Sequence, residues 1–181
     1  MKEVLLASKT IMKNTGFNGD TAIILGSGLG GFINVLNRKR ELKYSEIPHY
    51  PESTVEGHSG ELVVGLLDNQ DIIVANGRLH MYEGYSLDEV IFPIKVFKEC
   101  GIKNLIITNS AGSLIPSHKP GTIMIIDGHI DCTFKARFEK PKVIKNQDFH
   151  SVGLELIAKN VALEKNINIV KGNYCWVTGP A

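Results

Sequence analysis

Thr21-Ala22-Ile23-Ile24-Leu25-Gly26-Ser27-Gly28-Leu29-Gly30-Gly31 is the stretch that decides the fold. Its first half is a short apolar run without polar alternation, as in a strand covered on both faces. Its second half is a glycine loop in which Gly26, Gly28 and Gly31 match Gly-x-Gly-x-x-Gly. Glycines there let backbone N–H groups approach an anion with no Cβ in the way, and Ser27 adds a hydroxyl to that cradle. The rival reading is a dinucleotide fold, with Glu46, about 20 residues after Gly26, on the ribose. Two features weigh against it. Only residues 32–39 separate the loop from the next possible strand, whereas a crossover takes about a dozen residues or more. Glu46 also sits in a polar stretch, Lys43-Tyr44-Ser45-Glu46, rather than at a strand tip. A dinucleotide-binding oxidoreductase remains a distant alternative.

Working outward, Glu3 to Asn14 carries apolar residues at helical spacing, and Gly16 reads as its stop. Phe32 to Asn37 suits a short helix. Glu61 to Leu67 and Asp71 to Ala75 are β-rich runs joined by Asp68-Asn69-Gln70, which predicts a hairpin. Ser86-Leu87-Asp88-Glu89 has the form of a capping box, opening a helix that buries Val90, Ile91, Ile94, Val96 and Phe97 and stops at Gly101. Pro93 would bend that helix. Asn104 to Thr108 reads as another buried strand, ending in the small-residue turn Asn109-Ser110-Ala111-Gly112-Ser113. Thr122 to Ile126 predicts a further strand, Val152 to Leu163 a helix, and Ile167 to Val177 one or two strands. Residues 131–150 are the most polar stretch and read as a surface excursion. The expected class is α/β: one domain over 1–181, with a mixed central sheet, partly closed as a barrel, flanked by helices.

The 181 residues include 20 Lys+Arg against 19 Asp+Glu, a net charge of +1, with 43% hydrophobic and 22% charged residues. This is globular composition, without the basic face that nucleic-acid binding uses to displace counterions. No apolar run approaches the roughly 18 to 20 residues that span a bilayer, and the first residues do not read as a signal peptide. Cys100, Cys132 and Cys175 contain no Cys-x-x-Cys pair, so neither a zinc site nor a disulfide framework is expected. Thiols of a reducing, cytoplasmic compartment are the simpler reading. The final residues, Trp176-Val177-Thr178-Gly179-Pro180-Ala181, read like the middle of a loop.

Two more segments carry polar groups that a core would not choose. Gly57-His58-Ser59-Gly60 precedes a strand, and Gly77-Arg78-Leu79-His80-Met81-Tyr82-Glu83-Gly84-Tyr85 follows one. If strand geometry persists, Arg78, His80 and Tyr82 project to one face. A guanidinium, an imidazole and a phenol together suit a phosphate and a hydroxylated sugar, with Glu83 close enough to orient His80. Taken singly, His58 is a turn residue, Arg78 a partner for a surface carboxylate and Tyr82 a core residue. His58 and His80 lack the carboxylate–histidine spacing of a metal site. What raises the set above those readings is convergence: the loops at 26–31, 77–85 and 109–113 each follow an apolar strand, so their ends can meet at one pocket.

In this order, Gly26-Ser27-Gly28-Leu29-Gly30, Gly57-His58-Ser59-Gly60, Gly77 to Tyr85 and Thr108-Asn109-Ser110-Ala111-Gly112 resemble the trimeric-type purine nucleoside phosphorylases. The segment Arg-x-His-x-Tyr-Glu-Gly is the most specific part, and it differs from the Arg-His-Gly-containing segment of methylthioadenosine phosphorylases. The resemblance implies phosphorolysis of a purine nucleoside to free base and (deoxy)ribose 1-phosphate. Inorganic phosphate would be co-substrate, without metal or organic cofactor, in a cytoplasmic homotrimer of the three-layer phosphorylase fold. It implies that Ser27, Arg78, His80 and the backbone N–H of Ser110 hold phosphate, and that Tyr82 meets the ribose. His58 would lie near phosphate, Glu83 would support His80, and Phe149 would close the base pocket of a neighbouring subunit. After His129 the sequence lacks the family's usual Asn-Pro-Leu signal. The family's chains also continue past Gly-Pro-Ala, through the Glu and Asn that recognise the base and a second phosphate-binding Ser. The expectation is therefore the N-terminal two-thirds of such an enzyme. The alternative is a catalytically silent relative that binds phosphate or assembles with other subunits.

Overall fold

The computed structural model describes residues 1–52, 60–133, 140–144 and 150–177. They group into two compact units, Met1–Ala111 and Gly112–Ala181. The first opens with α1 (Lys2–Thr15), which Gly16 ends in the left-handed conformation at φ 61°. That is the glycine stop its sequence predicts. Strands β1 (Thr21–Ile24), β2 (Asn37–Lys43), β3 (Glu61–Leu67), β4 (Gln70–Asn76) and β5 (Asn104–Ile107) form one mixed sheet in the order β2-β3-β4-β1-β5.

β1 runs parallel to both β4 and β5, Thr21 pairing with Ile72 on one side and Asn104 on the other. β2, β3 and β4 form an antiparallel meander. The glycine loop leads through a 3₁₀ helix, Gly30–Val35, into β2 at the far edge of the sheet. No parallel neighbour of β1 is reached by that route, which removes the dinucleotide reading. In the hairpin, Leu67 pairs with Gln70 across the two-residue turn Asp68-Asn69. Neither the five-stranded sheet nor the smaller one below closes on itself among the described residues.

The strands alternate between two buried faces, which is why β1 reads as continuously apolar. One face sets Ala22, Ile24, Leu62, Val64, Ile73 and Ala75 against Ala7 and Ile11 of α1 and Val96 and Phe97 of a second helix. The other sets Ile23, Val63, Ile72 and Val74 against Leu36, with Phe32 and Ile33 of the 3₁₀ helix. β5 departs from expectation. Ile106 and Ile107 are 41% and 56% exposed, because β5 is a sheet edge whose described strand partner is β1 alone.

The helix expected after Ser86 forms as two pieces, α2 (Leu87–Val90) and α3 (Phe92–Glu99). Ser86 and Glu89 make the capping box, and Pro93 sits in the first turn of α3, where its missing N–H leaves no intrahelical bond unmade. Gly101 follows with φ 87°.

The second unit holds β6 (Ile123–Asp131), β7 (Lys142–Ile144), α4 (Val152–Glu164) and β8 (Ile169–Trp176). Its sheet has the order β7-β6-β8, with β8 parallel and β7 antiparallel to β6. β7 lies inside the stretch read as a surface excursion, and Val143 is indeed exposed. Ser151 caps α4 by accepting from the Leu154 N–H. Lys171 of β8 donates to Glu155 of α4 at 2.9 Å, and bonds from Lys159 and Lys171 hold that carboxyl below the usual range.

Candidate functional site

Parallel pairing brings the C-terminal ends of β1, β4 and β5 to one edge of the first sheet. The three loops singled out in the sequence leave from those ends. β3 begins at the same edge, since Glu61 pairs with Asn76.

At β1, Gly26 is required by close approach. A Cβ there would lie 2.7 Å from both the Asn109 Cα and the Thr108 carbonyl oxygen, well inside contact distance. The Gly26 N–H donates to Thr108 Oγ1 at 2.8 Å, and the Thr108 hydroxyl donates to the Ile24 carbonyl at 3.2 Å. Gly28 follows at φ 84° with open space around it. Ser27 is exposed, and its carbonyl accepts from the Ser110 hydroxyl at 3.1 Å. Among the described residues, neither the Ser27 hydroxyl nor the Ser110 backbone N–H has a protein partner.

At β4 the strand ends with Asn76, Gly77 bends the chain at φ 119°, and His80 is extended again at φ −131° and ψ 149°. Leu79 is buried, while Arg78 and His80 on either side of it are half-buried. The chain then enters a 3₁₀ turn, Met81–Glu83, so strict alternation stops before Tyr82. Tyr82 reaches the same place by another route: its ring stacks on His80 at 4.7 Å and 18°. Half of it is exposed, with an apolar face and a polar tip at the mouth of the site.

Arg78 is fixed at two points. Its Nη1 donates to the Thr108 carbonyl at 2.7 Å and its Nε to His80 Nε2 at 3.1 Å. Since Nε2 accepts, the Nδ1 of the neutral ring carries the proton and donates to Glu83 Oε1 at 2.9 Å. The same carboxylate oxygen accepts the His80 backbone N–H at 2.8 Å, and the Glu83 side chain is only 3% exposed. Glu83 thus fixes both the rotamer and the tautomer of His80. One chain of hydrogen bonds runs Glu83–His80–Arg78–Thr108–Gly26, with Ser110 closing onto Ser27.

Thr108 opens one of the family-like segments, but no role for it is read from the sequence. Its carbonyl holds Arg78 and its side chain holds the glycine loop, a role that follows from the parallel β1–β5 pairing. His58 and Phe149 lie outside the described residues. The groups brought together with open donors are one guanidinium, a serine hydroxyl and a backbone N–H, a set suited to an oxyanion, and the imidazole, bonded at both ring nitrogens, holds the guanidinium in place. No group of three or more His, Cys, Asp or Glu among the described residues could hold a metal ion.

Residues 20–181 match the family model of the phosphorylase superfamily. The chain belongs to that superfamily. Within it, purine nucleoside phosphorylase 1 of Bacillus subtilis is 38% identical over 97% of this chain and 67% of its own length. The bovine purine nucleoside phosphorylase is 45% identical over 68% of this chain and 43% of its own length. The structure of isoform 2 of the Schistosoma mansoni enzyme, in complex with cytosine and ribose-1-phosphate, superposes with a TM-score of 0.84 at 32% identity. That superposition covers 99% of this chain and 67% of the neighbour. The chain therefore spans 43–67% of the length of these phosphorylases. The resemblance seen in Arg78 to Tyr85 and the glycine loop is one to purine nucleoside phosphorylases as a group, with the same mixed α/β architecture.

Proposed function

We propose that this chain carries the phosphate side of a purine nucleoside phosphorylase, which converts purine nucleoside and inorganic phosphate into free base and (deoxy)ribose 1-phosphate. The observation that carries the reading is the continuous bonded chain from Glu83 through His80, Arg78 and Thr108 to the Gly26–Ser27 loop. In the reaction a phosphate oxygen bonds to C1′ as the C1′–N9 bond breaks, and the bond's electrons leave with the purine. Positive charge develops on the sugar at the transition state, so a phosphate fixed beneath it is both nucleophile and counter-charge. Arg78, Ser27 and the Ser110 N–H would fix it directly, His80 would take part by holding the Arg78 guanidinium, and Tyr82 would pack on the ribose. His58 would reach phosphate from the segment before Gly60, and Phe149 would complete the base pocket of a neighbouring protomer in a homotrimer. The enzyme would act in the cytoplasm with phosphate as its co-substrate and no organic cofactor. No described helix is long and apolar enough to cross a membrane.

The test is cleavage of inosine and guanosine with and without phosphate. Cleavage that depends on phosphate and yields ribose 1-phosphate is expected. Arg78→Ala should raise the phosphate KM by roughly 10- to 100-fold, the equivalent of charge-assisted hydrogen bonds worth about 1.5–3 kcal/mol. An unchanged phosphate KM in that variant would remove Arg78 from the site. Phosphate binding without turnover would leave a phosphate-binding relative in place of an enzyme.

A further inference from the structure

Tyr44 lies in the 3₁₀ turn after β2 and is 2% exposed. Its phenol donates to the Gly77 carbonyl at 2.6 Å, and its own N–H donates to the Gly60 carbonyl at 2.8 Å. Gly60 is the residue before β3 and Gly77 the residue after β4, each next to the last pair of the ladder, Glu61 with Asn76. Tyr44 therefore ties together the two chain ends that leave the sheet at the site's edge. Gly77 has φ 119°, a conformation open to glycine and costly for other residues. Such a residue sets no direction by its own sterics, and the next residue is Arg78.

We propose that Tyr44 is a positioning residue for the phosphate site: its hydroxyl locks the Gly77–Arg78 peptide plane and so aims the Arg78 guanidinium. This rests on the reading of Arg78 as a phosphate ligand. The Tyr44 ring has little room to swing, because it packs on Tyr50 at 4.7 Å, and Tyr50 meets Phe92 edge-on at 6.1 Å. Burial, and secondarily the Glu61 charge, push the phenol's pKa well above its ordinary value, so it stays a donor at physiological pH. The Tyr44 hydroxyl, spent on the Gly77 carbonyl, acts on phosphate through Arg78 alone.

A titration of the chain with inorganic phosphate, followed by phosphorus NMR, separates the possibilities. Tyr44→Phe keeps the ring packing and removes only the donor. It should weaken phosphate about 5-fold, the worth of one net hydrogen bond. In an Arg78→Ala background the same change should cost nothing further, because its effect passes through Arg78. Equal losses in both backgrounds would overturn the proposal, as would full affinity in Tyr44→Phe while the wild type binds phosphate. A wild type that binds no phosphate would overturn the reading of the site itself, and this one with it. Ile11→Ala, a truncation in the same core on α1, supplies the stability control and should bind as the wild type does. Equal weakening there would reduce Tyr44 to a packing residue.

Discussion

Single atoms decide this site. The Gly26 Cα sits so close to Asn109 that one methyl group would force β1 and β5 apart at their ends. Gly26→Ala is expected to cost about 1–3 kcal/mol in urea unfolding, as overpacking does. It should also weaken phosphate, because Thr108 can no longer hold both the glycine loop and Arg78. Unfolding and phosphate titrations of that variant that both match the wild type would refute the close approach. The functional side chains were legible because each breaks a local pattern: Ser27 inside a glycine run, Arg78 and His80 beyond an apolar strand. Thr108 was not, because its part is played by a backbone carbonyl and by a hydroxyl bonded 82 positions away in sequence. Nothing in one-dimensional spacing reports such a partner.

At the scale of elements, turn chemistry carries most of what could be read. Asp68 and Asn69 both have positive φ, 46° and 65°, as a two-residue hairpin of type I′ requires. Asp and Asn tolerate this conformation, and glycine adopts it more readily at the second position. Asn69→Gly is thus expected to stabilise the chain by a few tenths to about 1 kcal/mol, seen as a higher urea midpoint with an unchanged slope. A lower midpoint would contradict the I′ assignment. The break between α2 and α3 was less legible. A proline within a helical pattern signals either a kink or a new start, and the new start is seen in the structure, where α2 ends at Val90 and α3 begins at Phe92. Burial of β5 was misjudged for a related reason. Apolar strands at an edge and in the middle of a sheet look alike in sequence, and strand order comes from long-range pairing.

Across the molecule, the phosphate-site residues that the structure describes all belong to the Met1–Ala111 unit, whose core carries an unusual acid cluster. Tyr44, Tyr50 and Cys100 are buried together, and burial raises the pKa of each. For Cys100 burial, helped by the Glu99 charge, pushes the thiol up to about 11. All three are neutral when protonated, so the folded state holds protons that the unfolded chain releases near the ordinary values of 9.0 and 10.0. Stability is then fully present below pH 9 and lost as pH climbs through the raised values, since the unfolded state binds fewer protons there. Urea midpoints should accordingly fall steeply between about pH 9 and 11. Tyr50 sharpens the test, because its hydroxyl is buried with no hydrogen-bonding partner among the described residues. Tyr50→Phe removes both an unpaid desolvation cost and one titrating group. It should be more stable than the wild type by about 1 kcal/mol at neutral pH, and its alkaline decline should be shallower. A less stable Tyr50→Phe would mean that the hydroxyl has a partner. An unchanged alkaline slope would remove Tyr50 from the proton release and leave it to Tyr44 and Cys100.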